Sequence, residues 1–428
     1  MTSRILPLGA FCALAGLLAA LPPAGLAAAA PQAKAITLTL EEALQRTLSH
    51  GPELLAASEE LRAVEAETVL AGRLPDPELS VTLENVAGDG AYRDSDAAEL
   101  TIELAQPIEL GGKRRLRREA AELGRQLAAN GQKLTQAGIL ATTRQRFIAV
   151  LSAQEKLALA REQAEASTRS LAAAGERIQA GKAPAIDRMR LQGQASLARL
   201  AVTQAERTLQ TARQALAASW GAAQADFARV EGDLGALPSV PPLSALDAAL
   251  EQTAAALNRR IATEQRGLEL EQARAGRIPD PRLTVGWRQF KESNQSAWLF
   301  GLSLPLPLFS FGQEAVAAAS SRYHSARARE ESERNQARAI LRSTWQALAD
   351  TRAEVEVLDS QVVPAAREGF VAAEFGYRAG KFGLLELLDA QRSLFEARER
   401  QLAARTACHL AFIELQRLQG GETAAATH

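Results

Sequence analysis

"AGRLPDPELSV" at residues 71–81 returns as "AGRIPDPRLTV" at residues 275–285. In each stretch a run with helical spacing of apolar residues ends and a run that alternates apolar with polar residues begins, which predicts a helix-to-strand transition. Proline ends the helix because it has no N–H to donate. Such a match at such a separation predicts an internal repeat. The two transitions are centred on Pro75, Asp76 and Pro77 and on Pro279, Asp280 and Pro281.

The elements around the first transition predict the repeat unit. Thr39 and Glu42 have the spacing of a capping box, so a helix is expected to start there and to continue to about Leu70. The runs "ELSVTLENV" and "ELTIELAQP" alternate apolar and polar residues, which predicts a hairpin. No proline interrupts residues 113–179, so a helix of roughly 100 Å is expected at 1.5 Å per residue. "AGKAP" ends it, and a further helix is expected as far as about Trp220.

The second half of the chain repeats this order of helix, hairpin, long helix, turn and helix. The stretch "GDLGALPSVPPLS" between the halves is rich in glycine and proline, which is typical of a linker. The sequence therefore predicts five segments: a signal peptide at 1–29, a first repeat at 30–231, a linker at 232–244, a second repeat at 245–418 and a flexible tail at 419–428.

The first residues of the chain have the pattern of a secretory signal. Arg4 precedes an apolar run, and small residues suited to cleavage follow, ending near Ala29. A single transmembrane anchor is the alternative for this stretch. After cleavage only Cys408 remains of the two cysteines, so the mature chain can form no internal disulfide.

The composition favours long helices and excludes a nucleic-acid partner. Aromatic residues make up only 4% of the chain, whereas alanine, leucine, arginine, glutamate and glutamine dominate. The formal net charge is −1 at pH 7, so the chain lacks the excess of basic residues typical of proteins that bind nucleic acids.

The alternating runs have the length of membrane-crossing strands. Each is about nine or ten residues long and has one apolar and one polar face. Four strands cannot close into a barrel, and open sheet edges are not tolerated in lipid. Closure therefore needs several chains, and three chains would give twelve strands. The alternative is an ordinary soluble sheet that is half buried on a helical body.

Several motifs together resemble the TolC family of trimeric outer-membrane efflux channels. They are the two-fold repeat, the Pro-Asp-Pro transitions, "QPIELGGKR" at residues 106–114 and the paired "AGK" turns at 180–182 and 379–381. "QPIELGGKR" is similar to the branch that serves heavy-metal efflux pumps of the resistance-nodulation-division class. The resemblance covers residues from about Leu38 to Leu418.

The resemblance implies an α+β membrane protein in the cell outer membrane with a large periplasmic portion. Its fold is a trimeric twelve-stranded β-barrel, four strands per chain, continuous with a long periplasmic α-helical barrel. It implies a homotrimer that works with a periplasmic adaptor protein and an inner-membrane pump as a passive exit duct for heavy-metal cations. The alternatives are the same fold in organic-compound efflux or type I protein secretion, or a periplasmic coiled-coil scaffold.

The paired turns are expected to be helix C-caps, because glycine adopts the left-handed conformation that a cap requires. The resemblance implies a second role for them, as the periplasmic tips that contact the adaptor. The residues concerned are Gly181, Lys182, Gly380 and Lys381.

Two acidic residues follow the second turn. Glu386 and Asp389 are three residues apart and therefore share one face of a helix. From the residues alone this is a solvated face; the resemblance implies that three copies form the channel constriction, a ring that attracts cations. The corresponding places of the first repeat hold Asp187 and Arg190, so the ring is not duplicated. Phe382 stands where some family members have a basic gate residue.

A basic run follows the first hairpin, at the predicted inner rim of the membrane. A solvated helix start is one interpretation and contact with lipid headgroups is the other. The second repeat has Gln313 and Glu314 at the matching positions. The run consists of Lys113, Arg114, Arg115, Arg117 and Arg118.

The sequence contains no enzyme motif and predicts no cofactor. The four histidines are scattered, and His409 beside Cys408 is the only local pair of metal-ligand types. Adjacent helical positions diverge by about 100°, so this pair is a poor metal site. A hydrolase is excluded by the lack of a nucleophile–base arrangement.

Overall fold

The computed structural model describes residues 37–306 and 312–420. Long helices packed side by side form most of it, and a four-stranded sheet lies at one end. The predicted signal peptide at 1–29 and residues 421–428 of the predicted tail lie outside the described residues. No helix within the described residues is long and apolar enough to cross a membrane.

Among the described residues, the first half of the chain contains four α-helices and four strands. In chain order they are β1 (Thr37–Leu38), α1 (Leu40–His50), α2 (Pro52–Ala71), β2 (Glu78–Glu84), β3 (Glu99–Pro107), α3 (Lys113–Gln179), α4 (Ala185–Ala217) and β4 (Arg229–Val230).

The second half contains five helices and two strands among the described residues. They are α5 (Leu243–Leu250), α6 (Ala254–Ala275), β5 (Arg282–Phe290), β6 (Gln295–Ser303), α7 (Gln313–Val357), α8 (Val363–Arg378) and α9 (Leu384–Leu418).

The predicted capping box is confirmed, but the helix after it is shorter than predicted. The Thr39 hydroxyl accepts a hydrogen bond from the Glu42 N–H at 3.2 Å, and the Thr39 N–H donates to the Glu42 carboxylate at 3.0 Å. The single helix expected as far as about Leu70 is wrong, because α1 ends before Gly51 and α2 begins at Pro52. Proline suits a first helical position, since the N–H there has no partner within the helix.

The two long helices differ in continuity. The prediction of an unbroken helix over residues 113–179 is confirmed by α3, whose 67 residues correspond to roughly 100 Å. The second long helix is interrupted, because a π-helical turn at Leu358–Val362 separates α7 from α8. Pro364 is the second residue of α8, and its missing N–H explains why the regular hydrogen-bond pattern fails in the turn before it.

The sheet and the helices beside it share one lateral order. The strands pair antiparallel in the order β2, β3, β5, β6. The helices attached to them pack in the corresponding order α2, α3, α6, α7. Within the described residues, β2 and β6 are therefore unpaired at their outer edges. These four helices form a wall, here called the helical wall, and its two edges coincide with the two edges of the sheet.

One face of the sheet is apolar and exposed across all four strands. Val81 lies opposite Ile102, which lies opposite Trp287, which lies opposite Trp298. On the edge strand β6, Phe300 is 80% exposed and Leu302 is 70% exposed. The predicted alternation is confirmed. The alternative of a sheet half buried on the helical body is wrong, because no helix in the described part of the chain covers this face.

The opposite face of the sheet carries a network of charged and polar groups. Arg288 donates hydrogen bonds to the Thr101 hydroxyl at 2.9 Å and to the Glu99 carboxylate at 3.0 Å. Glu84 lies 3.4 Å from the same guanidinium. Each strand therefore presents apolar side chains to one side of the sheet and polar or charged side chains to the other.

Away from the sheet the helical wall continues with different members. There the helices pack in the order α4, α3, α9, α8 around buried leucine, alanine and phenylalanine side chains. The segment between the halves lies along the wall: the Trp345 indole donates to the Pro241 carbonyl at 2.8 Å, and Arg352 donates to the Pro238 carbonyl at 2.6 Å. β1 and β4 form a short parallel pair beside it, which the sequence did not predict.

Candidate functional sites at the two ends of the helices

The two turns that join α3 to α4 and α8 to α9 lie at the end of the wall remote from the sheet. α3 begins just after β3 and ends at the first turn, so its full length separates the two ends. The buried cluster that includes Leu191, Tyr377 and Leu384 brings the two turns together within one chain.

Both turns are Schellman motifs, as the glycine positions predict. The Lys182 N–H donates to the Arg177 carbonyl at 2.8 Å, and the Gly181 N–H donates to the Ile178 carbonyl at 3.0 Å. The second turn has the same pair of bonds, from Lys381 to Gly376 at 2.8 Å and from Gly380 to Tyr377 at 3.1 Å. Both motifs need a residue in the left-handed conformation, and the φ angles are 71° at Gly181 and 76° at Gly380.

The outer surface of both turns is open. A Cβ atom at Gly181 or Gly380 meets nothing within 4 Å, and the Lys182 and Lys381 side chains are exposed. No part of the described chain covers the turns, so a partner protein can reach them.

Arg177 joins the two turns, a contact that the sequence did not predict. Its guanidinium donates to the Tyr377 carbonyl at 2.7 Å and to the Lys182 carbonyl at 3.3 Å, and its centre lies 4.4 Å from the centroid of the Tyr377 ring. One planar group thus contacts the backbone of both turns. The sequence signal was present, since Arg177 and Tyr377 each precede a turn glycine by a few residues.

Tyr377 is enclosed where the turns meet. Only 1% of its surface is exposed, and its hydroxyl has no hydrogen-bond partner among the residues that the structure describes. Burial raises the pKa of Tyr377 and the nearby Asp187 raises it further, although Arg177 acts in the opposite direction. Phe382 completes the enclosure, because its ring lies against the Cα of Gly376, where a Cβ atom would come within 2.2 Å.

The acidic pair on α9 is exposed and partly neutralised. Leu384 and Leu387 are buried, which turns the side chains of Glu386 and Asp389 outwards. Asp389 forms an ion pair with Arg392 at 2.9 Å, and both side chains are 69% exposed. Arg392 was missed by the sequence analysis, although its spacing of three residues from Asp389 indicates the pair.

The corresponding acid of the first repeat has a different environment. Asp187 is 9% exposed, at the start of α4 beside the enclosed Tyr377, whereas Glu386 is exposed. The expectation that the acidic pair is not duplicated is therefore supported by burial as well as by sequence.

At the sheet end, three of the five basic residues cap the ends of neighbouring helices. Arg114 donates to the Gly72 carbonyl at 2.8 Å, and Arg117 donates to the Ala71 carbonyl at 2.8 Å, both at the end of α2. Lys113 donates to the Ile278 carbonyl at 2.6 Å, just after α6. Cations are favourable at such ends because the last carbonyls of a helix lack partners.

The other two basic residues are more available. Arg115 forms an exposed ion pair with Glu119 at 2.8 Å. Arg118 is exposed and lines an open cavity of about 1010 Å³ between α2, α3 and α6. Contact of the basic run with lipid headgroups stays a prediction, and these two exposed residues, neither of which caps a helix end, are the ones best placed to make it.

The two Pro-Asp-Pro transitions differ in their contacts. The Asp280 carboxylate accepts hydrogen bonds from the Leu110 N–H and from the Lys113 ammonium group, each at 2.8 Å. Burial alone would raise the pKa of Asp280, but these two bonds outweigh it and hold the pKa below its usual value. Asp76 is exposed and has no hydrogen-bond or ion-pair partner within the described residues.

Cys408 and His409 do not form a shared site. Burial raises the pKa of the Cys408 thiol, which faces Thr351 and Arg352. Burial lowers the pKa of His409, whose ring lies 3.2 Å from the Leu234 carbonyl. No group of three or more metal-ligand side chains occurs within residues 37–306 and 312–420.

Comparison with protein families gives a match over most of the chain. The family described as "Outer membrane efflux protein" matches twice in succession, at residues 43–222 and 244–421.

Curated relatives are similar over nearly the same length. The cobalt-zinc-cadmium resistance protein CzcC of Cupriavidus metallidurans is 34% identical over 390 residues, which cover 91% of this chain and 92% of that protein. The nickel-cobalt-cadmium resistance protein NccC of Alcaligenes xylosoxydans xylosoxydans is 28% identical over 310 residues, 72% of this chain and 70% of that protein.

Solved structures share the fold at low sequence identity. A structure of CusC, described as showing conformational changes that accompany transmembrane channel formation, has a TM-score of 0.78 at 18% identity and covers 89% of this chain and 91% of its own. A membrane protein from Pseudomonas aeruginosa has a TM-score of 0.77 at 22% identity and covers 89% and 92%. The resemblance inferred from the repeat and its motifs is confirmed.

Proposed function

This chain belongs to the outer membrane efflux protein family, and from that premise we propose that three copies of it close into a twelve-stranded barrel continuous with a periplasmic tunnel of helices. The observation that carries the proposal is the shared open edge: the sheet and the helical wall both stop at the same two sides. A heterologous contact that joins one side to the other produces a ring.

The faces of the sheet fit this barrel. The exposed apolar face, with Val81, Ile102 and Phe300, suits contact with lipid, and the charged face around Arg288 suits a watery lumen. β3, β5 and β6 are each nine residues long, the length of a tilted strand that crosses a bilayer. A periplasmic scaffold is surrounded by water and is not expected to keep an apolar face exposed on four strands.

The repeat organisation supports the tunnel. We propose that residues 30–231 and 245–418 are the two units, joined by the segment 232–244, so that three chains give a wall with approximate six-fold repetition. The family match falls into two parts, at 43–222 and 244–421, which supports this division.

The open turns are the proposed docking site of the partners. Gly181, Lys182, Gly380 and Lys381 lie at the end of the wall away from the sheet, where a periplasmic adaptor and, beyond it, an inner-membrane pump can reach them. At the other end, Arg115 and Arg118 are the proposed contacts with lipid headgroups. The duct itself is passive, and the pump supplies the energy.

Heavy-metal cations are the proposed cargo. Two relatives carry cobalt, zinc, cadmium or nickel resistance in their names. Glu386 and Asp389 of three copies would form a ring of six carboxylates that raises the local concentration of cations. The cations pass this ring as cargo rather than as bound cofactors.

Deletion of the gene in its host tests the cargo. We expect the deletion strain to become sensitive to cobalt, zinc and cadmium while its tolerance of dyes and detergents stays unchanged, and the restored gene to reverse the defect. Sensitivity to organic compounds alone, or loss of a secreted protein, would support the alternative ducts of the same fold. A mature protein found as a soluble monomer in the periplasm would contradict the channel itself.

A further inference from the structure

The contact between the two repeats of one chain contains a clamp at the base of the sheet. Asp280, from the second repeat, binds the Leu110 N–H and the Lys113 ammonium group at the start of α3, in the first repeat. The Ile108 N–H donates to the Pro281 carbonyl at 2.8 Å beside it. The clamp therefore fixes where the wall of one repeat meets the wall of the other.

The repeat-related positions of this clamp lie at the two open edges. Asp76 corresponds to Asp280 and stands at the outer edge beside α2. Gln313 corresponds to Lys113 and begins α7 at the opposite edge. The residue before each long helix has the same backbone conformation, with φ 73° and ψ 16° at Gly112 and φ 65° and ψ 17° at Gly312.

The two residues at these repeat-related positions have no clamp partner within one chain. Asp76 and Gln313 are exposed and make no polar contact within the described residues. α3 and α7 both begin without a side-chain cap, and the N–H groups of a first helical turn need acceptors. A carboxylate near such a start is favourable because the helix dipole is positive there.

We propose that Asp76 of one copy binds Gln313 at the start of α7 in the next copy, and so repeats between copies the clamp that Asp280 and Lys113 form within one copy. The inference rests on the proposed trimer and adds the atoms that hold it. Asp76 and Asp280 then alternate around the ring, three of each.

The same repeat operation fixes how the edge strands pair. Glu103 of β3 lies opposite Gly286 of β5 within one chain. Ser303 corresponds to Glu103, just as Gly312 corresponds to Gly112, and Thr82 corresponds to Gly286. The same pairing repeated between copies therefore places Ser303 of β6 opposite Thr82 of β2 in the next copy. In this register both residues lie on the polar face, and Leu302 lies opposite Leu83 on the apolar face. A slip by one residue would exchange the faces.

Disulfide cross-linking tests the register directly. In the double variant Ser303→Cys/Thr82→Cys, the two cysteines lie on opposite edges of one chain, so a disulfide between them must join two copies. We expect oxidation in outer membranes to give covalent dimers and trimers on a denaturing gel, since directly opposed Cβ atoms are about 4.5–5.5 Å apart. The matched control is Ser303→Cys/Ser80→Cys, which moves one cysteine two residues along the same face and should link poorly.

The outcomes separate this inference from the proposed function. If the wild-type protein is a trimer but the Ser303→Cys/Thr82→Cys variant does not cross-link, or cross-links less than the Ser80 control, the proposed register is wrong and the proposed channel is unaffected. A wild-type protein that is a monomer overturns both.

A double-mutant cycle tests the clamp. Gln313→Lys recreates the residue of the first repeat and should slow dissociation of the trimer in mild detergent by about two- to fivefold, the effect of one exposed ion pair. The gain should vanish when Asp76→Asn is also present. A gain of equal size in both backgrounds overturns the clamp, because the new lysine would then act on another group.

Discussion

The two ends of the helical wall differ in how far one chain completes its contacts. At the turns, Arg177 binds the backbone of both turns and Tyr377 is enclosed between them, so the site is built within a single copy. At the sheet, β2 and β6 have unpaired edges and Asp76 has no partner among the described residues. In the proposed trimer the sheet end is therefore completed by assembly, whereas the turns are complete within one chain and stay available to the proposed adaptor.

The largest effect is expected from a charge on the lipid-facing side of the sheet. Phe300→Arg places a cation near the middle of β6 and should cost about 2–4 kcal/mol per chain at mid-membrane depth, enough to prevent assembly. Heat-modifiable migration of the trimer on gels measures this. Leu299→Arg is the matched control, because Leu299 is the adjacent residue on the lumen face. Equal loss of trimer in both variants would show that the sheet does not separate lipid from lumen.

Bulk at the turns should abolish efflux without affecting assembly. Gly181→Trp or Gly380→Trp adds a large side chain in open space, where it should obstruct docking of the adaptor. Metal resistance of cells and the amount of trimer in their outer membranes are the two measurements. Gly181→Asn and Gly380→Asn are the controls, because asparagine tolerates the left-handed conformation without the bulk. Unchanged resistance in the tryptophan variants would leave the turns as caps only.

Loss of the Arg177 contact should loosen the turns and leave the sheet end unchanged. Arg177→Ala removes hydrogen bonds from a charged donor, each worth about 1.5–3 kcal/mol, so amide exchange at residues 379–382 should accelerate about ten- to a hundredfold. Arg177→Lys should be intermediate, since lysine keeps the charge but not the planar fork. Exchange that accelerates equally in the strands would contradict the independence of the two ends.

The smallest effect is expected at the acidic pair, because Arg392 already offsets part of its charge. Glu386→Gln with Asp389→Asn should lower the cation preference of the purified channel in planar bilayers and weaken block by multivalent cations. Arg392→Gln should act in the opposite direction and strengthen both. If cation preference and block both stay unchanged in both variants, the acids do not line the constriction.

Local signals predicted most of the fold. Prolines 75, 77, 279 and 281 follow the ends of α2 and α6 within a few residues and prevent either helix from continuing, and the alternation around Leu79 and Leu283 is visible without knowledge of any contact. The helix break at Gly51 and the π-helical turn before Pro364 also lie beside a proline. Neither was predicted, because the apolar periodicity continues through both. β1 and β4 have two residues each, too few to show a period.

The candidate sites were predictable only in part, because their decisive contacts join residues far apart in sequence. The turn glycines follow from left-handed caps, whereas the Arg177–Tyr377 contact connects residues two hundred positions apart. Asp76 and Asp280 share one motif, and only their neighbours in space distinguish them. The exposure of Glu386 and the burial of Asp187 likewise depend on which helix face meets the wall.

Native mass spectrometry of the intact protein, extracted from outer membranes in mild detergent, tests the proposed trimer directly. We expect a complex of three mature chains with no single-chain species, because the edges of one sheet are closed only by two other copies. A single chain as the native species would contradict it.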